Sequence, residues 1–366
     1  MLPDITVIGG GLLGRSLAWR AARVGARVAI YDAAGREGEG SAAWVAAGMI
    51  APTSEAIDSD PRIGPMGQRS LALWPRWLAE LPISVFYRDA GTLFLWHRED
   101  AGEALRIQRV LASRHSRTQV QLIEGPCINE LEPALDRRFS RALHIPGETQ
   151  IDNREFLKAV AAALDEQRVE CHWHSPVVDG ELPEAGIVVD CRGMGAKHDW
   201  PRLRGVRGEI IRLHAPEIEL RHMLRLLHPR YPVYIVPRSE GRLVVGATTI
   251  ESNDLSPVSV RGVLELLTSA YSVLPALAEA RILEFNTQVR PCLPDNLPSL
   301  RFDRGRNVLS INGLYRHGFL LTPAVVEEVL SVLALQQSGT PANWLDRHEN
   351  GFATVESPVR HEVQAC

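Results

Sequence analysis

Three kinds of hydrophobic spacing alternate along the chain, and each predicts a different element. Short unbroken β-branched runs, "DITVIG" at 4–9 and "GIVVDCRG" at 186–193, read as strands buried on both faces of a parallel sheet. "ARVAIYDA" (26–33) is a further strand, ending at Asp32. Apolar residues three and four apart read as helices. One is "LLGRSLAWRAARVG" (12–25), with Leu13, Leu17, Ala21 and Val24 along one face and Gly25 as its stop; another is "NREFLKAVAAALDEQ" (153–167). Runs broken by turn residues read as antiparallel pairs. "ISVFYRDAGTLFLW" (83–96) predicts two short strands around a turn, and "YPVYIVPRSEGRLVVGATT" (231–249) predicts Tyr234–Pro237 and Leu243–Gly246 separated by "SEGR". "RGEIIRL" (207–213) adds a strand. Near the end, "NVLSINGLYRHGFLLTPAVVEEVLSVLAL" (307–335) gives a buried strand, a loop from Gly313 to Gly318, and a helix with Thr322 and Pro323 as N-cap and first residue.

Parallel-strand and helical pieces therefore alternate with antiparallel ones. The expected fold is α/β plus α+β, a Rossmann-like domain interleaved with an antiparallel-sheet domain. The expected division is 1–82, 154–205 and 286–350 for the first, 83–153 and 206–285 for the second, and 351–366 as a C-terminal tail. A chain of 366 residues supports two domains over one simple core.

The first strand and helix enclose Gly9, Gly11 and Gly14 in a G-x-G-x-x-G turn. In such a turn the first glycine permits the bend, the second lets backbone approach a pyrophosphate, and the third lets helix and strand pack closely. The helix start offers free N–H groups and positive dipole. Asp32 lies where an acid accepts hydrogen bonds from ribose hydroxyls. Binding of an adenine dinucleotide follows, with nicotinamide and flavin both open. The small-residue run "GEGSAAWVAAGMIAP" (38–52) fits backbone pressed against a flat ligand, or a tightly packed connector.

Composition removes several alternatives. A net charge of −4 with no basic run argues against a nucleic-acid partner. Cys127, Cys171, Cys191, Cys292 and Cys366 are odd in number and never form C-x-x-C, which points to a reducing compartment without a metal or disulfide framework. The twelve histidines show no metal-ligand spacing. No signal peptide or spanning helix is read, so the expected location is the cytoplasm and no membrane is involved.

"VIGGGLLG", "AAGM", "YIVPRSEGRLVVGATT", "VRPCLPDNLP" and "GLYRHGFLLTP" together carry a resemblance over nearly the whole chain. The chain resembles the FAD-dependent D-amino-acid oxidase superfamily, and within it the bacterial glycine oxidases of thiamine biosynthesis. The resemblance implies FAD as the ligand, and makes the two expected domains an FAD-binding and a substrate domain. It places Leu12 and Leu13 at the pyrophosphate, and Asp32 and Ala33 at the adenosine ribose. Ala42, Ala43, Ala47, Gly48 and Met49 follow along the dinucleotide and isoalloxazine. Val177 meets the adenine by its backbone, and Leu314, Tyr315, Arg316, His317, Gly318, Phe319 and Leu320 wrap the flavin's pyrimidine end.

An amino-acid oxidase must hold a carboxylate, and the planar fork of arginine makes two charge-assisted bonds to one. The resemblance assigns that role to Arg290, assisted by the hydroxyl of Tyr234, with Arg316 near the substrate. Tyr231 is a rival, on the opposite sheet face if alternation holds. No general base is assigned, because the α-hydrogen passes as hydride to the flavin while the protein orients and excludes water. Cys292 lies where related sarcosine oxidases carry a covalent attachment; it is read here as a plain buried thiol, with FAD held non-covalently. The implied reaction takes glycine, oxygen and water to glyoxylate, ammonia and hydrogen peroxide, with sarcosine and small D-amino acids as further substrates, and serves thiazole synthesis. A sarcosine or D-amino-acid oxidase or dehydrogenase is the nearest alternative, and a non-catalytic flavin-binding subunit a more distant one. The resemblance also implies a homo-oligomer.

Overall fold

The computed structural model describes residues 4–114, 120–135, 138–178, 181–183 and 186–337. The expected tail at 351–366 lies outside them. Two large sheets form the body. The first has six strands in the order Ser299–Asp303, Val308–Asn312, Ile187–Asp190, Ile5–Ile8, Val28–Tyr31, Glu170–His172. All its junctions are parallel except the antiparallel edge strand Ser299–Asp303. Ile5–Ile8 and Ile187–Asp190 are buried at every residue, as unbroken apolar runs in a sheet covered on both faces must be.

From the central strand Ile5–Ile8 the chain winds outward one way through Val28–Tyr31 and the other way through Ile187–Asp190. The strand order therefore reverses between Ile5–Ile8 and Ile187–Asp190, and a ligand crevice opens at the carboxyl ends of strands at such a point. Helix Leu12–Arg23 follows at once. Leu13, Leu17 and Ala21 are buried as expected, whereas Val24 falls on the C-cap and is 72% exposed. Gly25 stops the helix with φ +94°.

Helix Asn153–Glu166 packs beside it, started by Asp152, whose carboxylate accepts from the N–H groups of Arg154 and Glu155 at 2.9 and 3.0 Å. The C-terminal helix corrects one expectation. It runs Gly318–Gln337, so Thr322 and Pro323 lie inside it rather than at its start. Pro323 has no N–H for the Phe319 carbonyl, and the Trp74 indole N–H donates to that oxygen instead, at 3.1 Å. The Thr322 hydroxyl turns back to the Gly318 carbonyl at 2.7 Å. Leu320, Leu321, Val325, Val326, Val329 and Leu333 are all buried, so the helix is covered on most sides.

The second sheet has nine strands and is antiparallel at every junction but one, Met223–Leu226 against Thr92–Leu95. The expected hairpin at 83–96 does not form. Tyr87–Asp89 joins a three-stranded sheet with Met49–Ile50 and Thr149–Ile151, while Thr92–Leu95 enters the nine-stranded one. The reason is burial: Thr92–Leu95 is buried at all four positions and needs a partner on each side, which half-exposed Tyr87–Asp89 cannot be. The second expected hairpin forms, with Tyr234 opposite Gly246 and Pro237 opposite Leu243. Two expected boundaries cut continuous strands. Position 206 falls within Arg204–His214, and 286 within Arg281–Cys292, and these two strands pair along their lengths in the second sheet. Among the described residues no helix is long and apolar enough to cross a membrane.

Candidate active site

The glycine turn sits at the crevice, and each glycine meets a different constraint. Gly9 has φ +97°, and a Cβ there would lie 2.7 Å from the Cys191 carbonyl on the neighbouring strand's end. A Cβ on Gly14 would lie 1.8 Å from the Gly9 oxygen. At Gly11 a Cβ would meet only the Ser41 Cβ, at 3.7 Å, so this glycine faces open space. No side chain caps the helix that Gly11 begins, and its first N–H groups are left for a ligand. Asp32 braces the turn by accepting the N–H groups of Gly10 and of Ala34, the latter at 2.6 Å.

Small residues carry the wall onward. Ser41 caps a single helical turn, Ala42–Val45, and Asn153 Nδ2 donates to the carbonyls of Ala43 and Trp44 at 2.7 and 2.8 Å. Gly48 (φ +61°) passes so close to Ile151 that a Cβ would lie 2.1 Å from its carbonyl oxygen. Only glycine permits that approach.

These segments enclose one cavity of about 1040 Å³. The wall holds Gly9, Gly11, Leu12, Leu13, Asp32, Ala33, Ala42, Ala43, Ala47, Gly48, Met49 and Val177. From the far end it holds Leu314, Tyr315, Arg316, Gly318, Phe319 and Leu320. Gly14 is not on the wall; it lies behind the turn, in the helix–strand contact. Such a length of small side chains and free helix N–H groups fits a long, flat dinucleotide.

The second sheet supplies the other wall. Its registers align Phe94, Arg225, Tyr234, Gly246 and Ile210 in one row across five strands, and all five line the cavity. Arg290 also lines it, from the strand beyond, and donates Nη1 to the Thr248 carbonyl at 3.2 Å. Its guanidinium lies over Gly208, where a Cβ would come within 2.3 Å of Nη2. Tyr234 is separated from Tyr231 by more than alternation: Tyr231 precedes the strand Val233–Pro237 and is not on the cavity wall, its ring packing on His228, which is. Burial pushes the Tyr234 phenol up, with Arg290 and Arg225 acting against it, so the hydroxyl is a neutral donor at neutral pH.

Two residues on this wall have no counterpart in the sequence reading. Glu55, 7% exposed, ends the short helix Pro52–Glu55 and is paired with Arg225 at 3.0 Å and Arg316 at 2.9 Å. Burial alone would raise its pKa, but Arg316, Arg225 and His317 hold it well below the usual carboxylate range. Arg225 is a lone cation between buried Leu224 and Leu226, and that break in an apolar strand was the available signal. Arg316 thus both lines the cavity and belongs to an ion pair. His317, expected near the flavin only through its backbone, has its side chain buried at 2% exposure and off the cavity wall, with Nδ1 3.3 Å from Glu55 and Nε2 3.2 Å from Ser59. The tight turn at 313–317 swings it inward, its N–H bonding to the Leu314 carbonyl at 2.9 Å.

Cys292 is fully buried, contacts Asn296 at 2.9 Å and is not on the wall. Burial pushes its thiol up to about 11, so a thiolate for flavin attachment is disfavoured. Among the described residues no group of histidine, cysteine and carboxylate side chains is arranged to hold a metal ion.

Comparison with known proteins shows the family. The sequence profile of the FAD dependent oxidoreductases (DAO) matches residues 4–330. A thiamine biosynthesis oxidoreductase, ThiO, of Rhizobium etli is 40% identical over 337 residues, covering 91% of this chain and 97% of that protein. The glycine oxidase of Geobacillus kaustophilus is 28% identical over 345 residues, or 87% of this chain and 90% of that one. A crystal structure of glycine oxidase from the same organism superposes with a TM-score of 0.80 at 26% identity, covering 91% of this chain and 94% of that chain.

Proposed function

The chain belongs to the DAO family of FAD-dependent oxidoreductases, and from that premise we propose that it is a glycine oxidase serving thiazole synthesis for thiamine. Glycine, oxygen and water give glyoxylate, ammonia and hydrogen peroxide, and sarcosine and small D-amino acids are further substrates. The observation that carries this reading is that Arg290 and Tyr234 face the same cavity as the glycine turn.

In this reading the N–H groups from Gly11 to Leu13 hold the FAD pyrophosphate, Asp32 and Ala33 the adenosine ribose, and Val177 the adenine. Ala42 to Met49 and Leu314 to Leu320 enclose the flavin, with His317 bracing that loop from behind. The chemistry FAD supplies when bound is two-electron oxidation, with the α-hydrogen accepted as hydride and oxygen as the final acceptor. Arg290 grips the glycine carboxylate with its fork, and the Tyr234 hydroxyl donates a further bond. Two fixed oxygens would leave little freedom to the α-carbon, and so would orient its hydrogen for transfer to bound FAD. Phe94 and Ile210 keep water from the row. Glu55, held as an anion by two arginines, is a poor base, and the reading needs none.

The domain division follows the sheets: the six-stranded sheet and its helices bind FAD, and the nine-stranded sheet faces substrate. Cytoplasmic location and a homo-oligomer belong to the same reading; the free thiols of Cys127, Cys171, Cys191 and Cys292 support the former.

Purified protein is expected to be yellow, with oxidised-flavin absorption bands, and acid precipitation is expected to release all the colour, since Cys292 is walled off. Colour retained in the pellet would overturn non-covalent binding, and a colourless protein that binds NAD would remove the reading altogether.

The substrate expectation is tested by peroxide release with glycine, sarcosine, D-alanine and L-alanine. Five non-hydrogen atoms at about −1.5 kcal/mol each cap glycine binding near −7.5 kcal/mol. The apparent KM is expected on the order of 0.1–1 mM or above. L-alanine should be inert. An enzyme active on a bulky D-amino acid and inert to glycine, or one that reduces a dye without peroxide, would move the reading to the D-amino-acid oxidases or the dehydrogenases.

A further inference from the structure

The small-residue segment at 43–49 sends four of its carbonyls away from the cavity it lines. Ala43 and Trp44 accept from Asn153 Nδ2, and Trp44 also from Arg154 Nε at 3.3 Å and Arg212 Nη2 at 3.4 Å. Ala47 accepts from Arg238 Nη2, and Gly48 from the Ile151 N–H at 2.9 Å. None of these donors is on the cavity wall. A planar trans peptide sets its N–H opposite its C=O, so the N–H groups of Gly48 and Met49 are turned back toward the cavity. Arg238 sits at the centre of this arrangement. Its side chain is fully buried, with Nε 3.5 Å from Asp152 and Nη1 donating to the Pro237 carbonyl at 3.0 Å. Burial pulls its pKa down only to about 10, so it is a cation at neutral pH. The guanidinium stands between Asp152 and the Ala47 carbonyl, with the positive end of that pair toward the wall.

The charges around it do not reverse that direction. Asp152 spends one oxygen on the N–H groups of Arg154 and Glu155, and Glu155 accepts the Phe86 N–H at 2.7 Å. Arg154 forks onto Glu284 at 2.8 and 2.7 Å, and Arg242 pairs with exposed Glu240 at 3.1 Å. Arg212, also buried, makes no ion pair among the described residues and adds to the positive side. We propose that Arg238 is a positioning residue for the oxidation, whose fixed charge behind the peptide Ala47–Gly48 makes bound FAD easier to reduce. The inference rests on the reading that Ala42 to Met49 face the flavin. Hydride uptake from the α-carbon adds one unit of negative charge to the cofactor. A cation fixed before the reaction stabilises that charge without reorganising, and it holds the Gly48 N–H in line to do the same. Arg290, Arg225 and Arg316 are placed differently: they are on the wall, where Glu55, Asp58 and a substrate carboxylate act against their charge. Arg238 is off the wall, where no substrate reaches it.

The test measures the two-electron midpoint potential of the flavin in the holoenzyme, which needs no amine substrate. At an effective dielectric constant of about 20, a unit charge changes such an equilibrium tenfold or more even from ~10 Å. In Arg238→Met the reduction equilibrium is expected to fall at least about tenfold, a lowering of about 30 mV. Arg238→Lys keeps a charge beside Asp152 without the fork, and is expected to stay within about threefold of wild type. Asp152→Asn removes the counter-charge while keeping an N-cap for helix Asn153–Glu166. It is expected to move the equilibrium the other way, up by at least about threefold. A folded, yellow Arg238→Met with the wild-type potential overturns the proposal, as does an Arg238→Lys no higher than Arg238→Met. An unchanged or lowered potential in Asp152→Asn also overturns it, since lowering in both directions of charge is what loosened packing alone would give. Where Arg238→Met does not retain FAD, the sign of the Asp152→Asn shift decides. A flavin-loaded protein inert to glycine overturns the substrate reading instead and leaves this comparison intact.

Discussion

Arg290→Ala is expected to lower kcat/KM for glycine by roughly 30- to 5000-fold, the equivalent of about 2–5 kcal/mol for truncating one partner of a buried charge pair. The side chain reaches the cavity from the long strand Arg281–Cys292, with Thr248 holding one nitrogen at 3.2 Å and Gly208 clearing the space beneath the guanidinium. Removing it leaves the substrate carboxylate without its forked partner, with the Tyr234 hydroxyl still in place. Because the same contact orients the α-carbon, kcat should fall along with affinity. FAD content and the flavin spectrum should stay near wild type, since the cofactor segments come from other elements. Arg290→Lys should recover only part of the loss, because a point charge cannot reproduce the fork. Steady-state peroxide kinetics and a flavin-to-protein ratio check this together. Normal kcat/KM in a flavin-loaded Arg290→Ala would remove Arg290 as the anchor and make Arg316 the next candidate.

Gly14→Ala is expected to abolish stable FAD binding and to lower the thermal midpoint sharply. The added Cβ would sit 1.8 Å from the Gly9 carbonyl oxygen and 3.1 Å from Val7 Cγ1. Overpacking against side chains costs about 1–3 kcal/mol, but here the obstruction is backbone and has no rotamer to escape into. Strand and helix must move apart, and the turn between them is the cradle itself. Gly11→Ala makes the contrast: its Cβ meets only Ser41 at 3.7 Å, so the fold should stand while the approach of the pyrophosphate is blocked. Gly11→Ala should therefore keep a wild-type apoprotein midpoint and lose FAD affinity, whereas Gly14→Ala should lose both. A Gly14→Ala protein with full flavin content and an unshifted midpoint would contradict the packing role.

Much of the fold was legible because its signals are local. The β-branched runs at 5–8 and 187–190 are buried strands, the helix at 12–23 follows its apolar spacing, and the glycine turn stands where the strand order reverses. What was misread depends on partners distant in the chain. The turn at Asp89–Gly91 looked like a hairpin, yet the partner of Thr92–Leu95 is Arg141–Ile145 on one side and Met223–Leu226 on the other. Pro323 looked like a helix start, because nothing near it in sequence announces that Trp74 serves the carbonyl it leaves unpaired. Glu55 and Arg225 are 170 residues apart, and their pairing exists only because the short helix Pro52–Glu55 packs against the nine-stranded sheet. His317 sat within a motif whose neighbours do line the cavity; its own side chain is claimed by Glu55.

The weave of the six-stranded sheet also sets a timetable. Ile5–Ile8 and the glycine turn leave the ribosome well before the strand beside them, Ile187–Asp190, and its far neighbour Val308–Asn312 is made later still. At about 5–20 residues per second that delay is on the order of tens of seconds. Through that interval the apolar faces of the first strand and of helix Leu12–Arg23 lack most of their native cover, which includes the helix Gly318–Gln337 made last. The dinucleotide crevice exists only once both sides of the switch point are in place. If FAD is held there as proposed, it is expected to enter late, sealing a nearly finished chain rather than seeding the folding of its own fingerprint.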